Sequence, residues 1–129
     1  MANIVRNPAS IAAPAGRYVH GVEVPANARL LYISGQVGID KNRKAGPTID
    51  KQCELAWKNL VAILKEARMG VDDIVRVNVY LTDPRYVPAY RTARDKFIGE
   101  KVPASTLLIV TALVDPALMV EIEAVAARA

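Results

Sequence analysis

The stretch that most constrains this chain is residues 49–69. Cys53, Ala56, Trp57, Leu60, Ile63, Leu64 and Ala67 recur at spacings of three and four, so a helix there carries one apolar stripe that must be buried. Asp50 stands in the predicted first turn, where the helix dipole favours a negative charge. Gly70 follows the last periodic residue, the usual place for a left-handed stop. Residues 73–81 then switch to a period of two. Val75, Val77, Val79 and Leu81 face one way and Arg76, Asn78 and Tyr80 the other, the pattern of a half-buried strand.

The flanking segments extend this pattern. Residues 17–24 and 29–37 read as strands, with Pro25-Ala26-Asn27-Ala28 as a hairpin connection between them; residues 40–47 form a charged loop. Asp83-Pro84 opens a turn, and Pro88 argues against one helix running on from Pro84, so the second helix spans residues 88–98 and ends at Gly99. Residues 106–113 and 118–127 read as two further strands joined through Val114-Asp115-Pro116-Ala117. Strands interleaved with only two helices imply one α+β domain over residues 1–129: a mixed sheet with both helices on one face.

Composition narrows the function classes. A chain of 129 residues buries an adequate core without staples, and 52% apolar residues lean toward a well-packed or oligomeric protein. The single cysteine, Cys53, excludes an intrachain disulfide and reads as a core residue of the first helix. No apolar run reaches the roughly 20 residues of a membrane span, and residues 1–10 lack the apolar centre of a secretory signal, so a cytoplasmic protein without membrane contact is expected. The net charge of +4 would suit anionic ligands or nucleic acid. The basic residues are scattered, however, and one Phe and one Trp offer little for base stacking, so a solvated basic surface is the preferred reading. His20, the only histidine, has no partner at metal-ligand or nucleophile spacing, and no phosphate loop or zinc pattern is present; no cofactor or metal is expected.

Six segments carry a family resemblance, in order, over nearly the whole chain. They are Gly16-Arg17-Tyr18-Val19-His20-Gly21-Val22, Tyr32-Ile33-Ser34-Gly35-Gln36-Val37, Gly70-Val71-Asp72-Asp73-Ile74-Val75-Arg76-Val77, Val79-Tyr80-Leu81-Thr82-Asp83, Pro103-Ala104-Ser105-Thr106 and Val120-Glu121-Ile122-Glu123-Ala124-Val125-Ala126. Together they resemble the Rid (YjgF/RidA) family. The resemblance implies a chorismate-mutase-like α+β fold in a barrel-like homotrimer, with helices outside and three clefts between subunits. It implies hydrolysis of enamines and imines such as 2-aminoacrylate and its imine tautomer, giving a 2-oxo acid and ammonia with no metal or cofactor. Older names of the family also speak of translation inhibition and endoribonuclease activity.

The chemistry asks for few parts. A small 2-imino acid carries a carboxylate that an arginine fork holds best, and the attacking water needs a carboxylate to orient it or take its proton. By resemblance Glu121 is that carboxylate, Tyr18 lines the cleft, and Gly35 brings backbone to the ligand. Glu121 and Glu123 lie two apart on a strand and share a face; Glu123 reads instead as a paired or solvent-facing carboxylate. Tyr18 also reads as an ordinary strand tyrosine, and Gly35 as a bulge glycine.

The chain departs from the family at Ser105, where the deaminase pattern Pro-Ala-Arg-Ser places the carboxylate-binding arginine. A serine supplies one hydrogen bond and no charge, a loss of roughly two powers of ten in affinity or rate. Leu107 likewise replaces a position where deaminases often carry cysteine. Arg91 aligns where deaminases carry an asparagine near the cleft. It reads either as a relocated arginine reaching the site from the second helix or, preferred, as one of several solvated basic residues with Arg94 and Lys96. The expected function is hydrolysis or binding of small carboxylate-bearing enamine, imine or 2-oxo-acid-like metabolites with altered range. The alternatives are a non-catalytic binding trimer and, last, a ribonuclease or translation inhibitor.

Overall fold

The computed structural model describes residues 2–129. Its elements run β1 (Ile4–Arg6), β2 (Gly21–Glu23), β3 (Arg29–Val37), α1 (Ile49–Glu66), β4 (Ile74–Leu81), α2 (Val87–Phe97), β5 (Ala104–Ile109) and β6 (Val120–Arg128), with single 3-10 turns at Val71–Asp73 and Pro84–Tyr86. β1 and β2 form a small antiparallel pair. The other strands make a mixed sheet in the order β3-β6-β4-β5, parallel only between β4 and β5, which α2 connects. Both helices cover one face of this sheet, the α+β arrangement that the patterning implies.

The core lies between helices and sheet. Val77, Val79 and Leu81 of β4 and Val120, Ile122, Ala124 and Ala126 of β6 meet Cys53, Ala56, Trp57, Leu60 and Leu64 of α1, with Tyr90 and Ala93 of α2. Burying each large apolar side chain contributes about 1.5–3 kcal/mol. Trp57 stacks on Phe97 at a centroid distance of 6.1 Å and joins the two helices. Cys53 is fully buried; burial, then the charge of Asp50, pushes its thiol up to about 12, so it is a core residue and not a nucleophile.

Three expectations need correction. The hairpin between residues 17–24 and 29–37 does not form: only Gly21–Glu23 is strand, and it pairs with β1, which the patterning did not reveal. The nine residues of β3 find a matching ladder in the nine of β6, a longer set of hydrogen bonds than a three-residue neighbour offers. Pro25 to Ala28 is still a turn, with Asn27 at φ 68°, but it redirects the chain. The first helix ends at Glu66, and the left-handed residue that stops it is Arg68 (φ 58°), not Gly70, which is extended. Arg68 serves because its turn closes two bonds, Met69 N–H to the Leu64 carbonyl and Arg68 N–H to that of Lys65, both 2.9 Å. The last two strands are shifted, to Ala104–Ile109 and Val120–Arg128, and are not neighbours. β6 inserts between β3 and β4, so that its alternating Val, Ile and Ala residues are covered on both flanks.

Candidate functional site

The two faces of the sheet differ. One carries the core. On the other, Tyr32, Arg76, Asn78, Tyr80, Thr106, Leu108, Glu121, Glu123 and Val125 face away from the helices, as alternation and register require. Arg76, Asn78, Glu123 and Val125 line a hollow of about 410 Å³ there with Tyr32 and Ser34. A larger hollow of about 570 Å³, between Asn3, Asp72, Lys101 and Arg128, holds none of the candidate side chains.

Glu121 lies near the start of β6, opposite Val37 on one side and Tyr80 on the other. Next to it the β3–β6 ladder breaks. Ile33 pairs with Ala124 and Gln36 with Ile122, so β3 spends one residue more than β6 around Ser34-Gly35. This is a bulge, the usual device for re-aiming a side chain. At Gly35 the Glu121 carboxylate occupies the space where a Cβ would stand, so any larger residue would collide with it. Gly35 is thus the bulge glycine of its structural reading, and its backbone lies against the Glu121 carboxylate. Among the described residues Glu121 has no hydrogen-bond donor of its own.

Glu123, two residues on, is fully engaged. The Tyr80 hydroxyl donates to it at 2.5 Å and the Asn78 amide at 3.2 Å. The Tyr80 hydroxyl first, then Asn78, hold its carboxyl below the usual range against the opposing effect of burial, and the Arg76 charge helps. The same bond pushes the Tyr80 phenol up. Glu123 is thus the paired carboxylate expected. The partners went unassigned in the sequence, although Asn78 and Tyr80 already stood on the polar side of the alternating strand.

The remaining candidates sit at the opposite edge. Val19 bridges Ala104 and donates to the Pro103 carbonyl at 3.0 Å, which sets half-buried Tyr18 beside the start of β5. Its ring meets His20 edge-on at 6.0 Å, and its hydroxyl accepts from the Ala15 N–H at 3.3 Å. Arg17 ties the segment to the end of α2 through Asp95 (2.9 Å) and the Gly99 carbonyl (2.8 Å). Residues 17–20 are therefore not a strand: the backbone N–H groups of Tyr18, Val19 and His20 go to Gly16, Pro103 and the Asn7 side chain, and no run of ladder bonds forms beyond the Val19 bridge. Ser105 and Leu107 pair with Val77 and Val79 and share their face, the helix side; Leu107 packs against the core. Arg91 is exposed on α2, without a hydrogen bond or ion pair among the described residues. One chain therefore brings Gly35 and Glu121 together and sets Tyr18 near the start of β5, the strand that carries Ser105. It keeps the two groups on different strands and faces.

β3 and β5 flank the sheet, and β3 has no strand on its outer side, while β5 has only the Val19 bridge. Leu30 (50% exposed) and Tyr32 (73%) on β3, and Leu108 (49%) and Ile109 (45%) on β5, leave both edges apolar and open. Such edges are ready-made for pairing with another chain. No group of three or more His, Cys, Asp or Glu able to hold a metal ion occurs among the described residues, and no helix is long and apolar enough to cross a membrane.

Comparison with known proteins bears on the family and the fold. The family model described as "Endoribonuclease L-PSP" matches residues 9–128. The RutC family protein UK114 of Drosophila melanogaster is 34% identical over 133 aligned positions, covering 98% of this chain and 92% of that protein. The crystal structure of YyfB from Yersinia pestis, a member of the conserved Rid protein family, superposes with a TM-score of 0.85 at 29% identity and 98% coverage of both chains. The structure of RidA from an Antarctic Psychrobacter gives 0.72 at 30% identity, covering 88% of this chain and 90% of that one.

Proposed function

This chain belongs to the endoribonuclease L-PSP family, the Rid (YjgF/RidA) proteins, and from that premise we propose that it hydrolyses small 2-imino acids in clefts between the subunits of a homotrimer. The observation that carries the reading is the contrast at the start of β6: Glu121 is half-buried, unpaired and set against the Gly35 backbone, while Glu123 is occupied by Tyr80 and Asn78. A carboxylate free of partners is available to orient a water and take its proton.

The step balances simply. Water attacks C2 of the protonated imine, and Glu121 accepts the water proton as the carbinolamine forms. Glu121 returns that proton to the amine nitrogen and takes the proton of the new hydroxyl as the C–N bond breaks, leaving a 2-oxo acid and ammonia, which carries the last proton away as ammonium. The substrate carboxylate meets the Ser105 hydroxyl in place of an arginine, so the substrate range differs from that of the deaminases. Arg91, exposed and unengaged on α2, is the residue able to supply the missing charge.

Two chains are needed to build this cleft. Ser105 and Leu107 face the helix side of β5, and Glu121 faces the open side of β6. Exposed Leu30 and Tyr32 on the β3 edge and Leu108 and Ile109 on the β5 edge support a contact between copies of the chain. A contact between such unlike surfaces gives a trimer where its rotation closes the ring. A second reading, a trimer that binds such acids without turning them over, is favoured by Ser105 alone, since its hydroxyl carries no charge. A ribonuclease is disfavoured because His20 has no second histidine.

The test generates 2-iminopropanoate with an amino-acid oxidase, traps it with semicarbazide, and measures its disappearance at increasing enzyme. Turnover by wild type supports the hydrolase. Turnover only by Ser105→Arg, with a gain of about a hundredfold, moves the protein to the binding role. Unchanged ligand affinity in Arg91→Ala removes Arg91 from the site, and a monomeric mass in solution removes the cleft.

A further inference from the structure

Two amides of α1, one buried and one half-buried, hold the strand ends around the unpaired carboxylate. Gln52 is 1% exposed, the one fully buried polar side chain among the described residues. Its Nε2 donates to the carbonyls of Gly46 (3.0 Å) and Ala117 (2.9 Å), and its Oε1 accepts from the Met119 N–H at 2.8 Å. Met119 is two residues before Glu121, so Gln52 ties down the entry to β6. Gly38, just past β3, packs on the Gln52 backbone so closely that a Cβ there would collide with it, and its carbonyl accepts from the Gly46 N–H at 2.9 Å. Asn59, seven residues along the same helix, donates to the carbonyls of Val37 (3.3 Å) and Ile39 (3.0 Å). Val37 is the residue paired with Glu121 across the ladder.

We infer that Gln52 and Asn59 are positioning residues that clamp the β6 entry and the β3 exit on either side of the Gly35–Glu121 contact. The physical case is that a bulged ladder is short of its own bonds. Between Ile33 and Gln36 the pairing slips, so the strands do not by themselves fix the distance between Gly35 and Glu121. Gln52 supplies that constraint from outside the sheet, with three bonds to two separate segments, and Asn59 adds two bonds to the facing strand. Apolar side chains of similar size would fill the same space without holding either strand end.

The inference rests on the role of Glu121 proposed above, and its test separates the two. In Gln52→Met and Asn59→Leu, kcat for imine hydrolysis should fall roughly ten- to hundredfold, as expected when a reacting group is misplaced by about 1 Å, with KM little changed. At one fixed pH, the NMR signals of the Glu121 carboxyl carbon and the Gly35 amide should both move, because each reports their contact. Restoring an amide with Asn59→Gln should recover part of the loss. A folded Gln52→Met with wild-type kcat and wild-type Glu121 and Gly35 signals overturns the inference. Should that variant fail to fold, unchanged Glu121 and Gly35 signals in Asn59→Leu overturn it equally. Wild type that hydrolyses no imine defeats the hydrolase reading alone, because the two signals still report whether the amides place Glu121.

Discussion

Glu121 and Glu123 stand two residues apart on one face of one strand, with Tyr80 beside the first and bonded to the second. Their surroundings separate them. Glu123 faces the middle of the sheet, where Asn78 and Tyr80 reach it from β4. Glu121 faces the bulge of β3, where Gly35 offers backbone and space in place of a side-chain donor. The same residue type thus becomes a structural acceptor at one position and an unpaired carboxylate at the next, through what the neighbouring strands present. A carboxylate already holding two donors has little capacity left to accept a proton from water.

The comparison breaks most readily at Glu121. Glu121→Ala should lower imine hydrolysis by about 10²–10⁴-fold, with a melting temperature close to wild type because no bond is lost; a smaller fall in the trapping assay assigns the chemistry elsewhere. Next comes Gly35→Ala. The new methyl meets the carboxylate directly, so the variant should lose most of its turnover and also about 1–3 kcal/mol in urea unfolding. Full activity there would mean that the Gly35 contact is incidental.

The smallest effect belongs to the paired side. Tyr80→Phe should cost about 1 kcal/mol of stability and leave kcat within a few-fold. Its pH dependence has a definite sign. Glu123 titrates below its ordinary 4.5 in the fold, so its contribution is present above that pH and is lost as pH falls through the lowered value. Tyr80 titrates above its ordinary 10.0, so its share is present below that pH and is lost as pH rises through the raised value. The stability gap between wild type and Tyr80→Phe should therefore be full between these limits and close on both sides. Denaturant midpoints across pH check this, and a constant gap would detach the bond from the ionised carboxylate.

Legibility in the sequence followed range. The stripe of α1, the alternation of β4 and the proline-bounded start of α2 are each written within a dozen or so residues, and each folds as read. The first hairpin failed because turn chemistry at Pro25-Ala26-Asn27-Ala28 does not say which strands pair. Arg68 taking the left-handed position before Gly70 shows the same limit at a helix end, where bond closure outweighed residue preference. At the candidate site, the pairing of Glu123 and the bulge at Gly35 were legible, each as one of the readings the residues allowed. The amides of Gln52 and Asn59 were not, because each reads as an ordinary polar residue of an amphipathic helix.

By itself the sequence determined which sides of the helices and strands must be buried, and hence an α+β layer, because periodicity is local and burial follows it. It also determined the family. Only the tertiary structure decided that β6 lies between β3 and β4, that the ladder bulges at Gly35, and that Glu123 and not Glu121 receives the donors of β4. Those outcomes depend on strands far apart in the chain competing for partners, and the winning ladder is set by the bonds and buried surface it gains over the whole sheet.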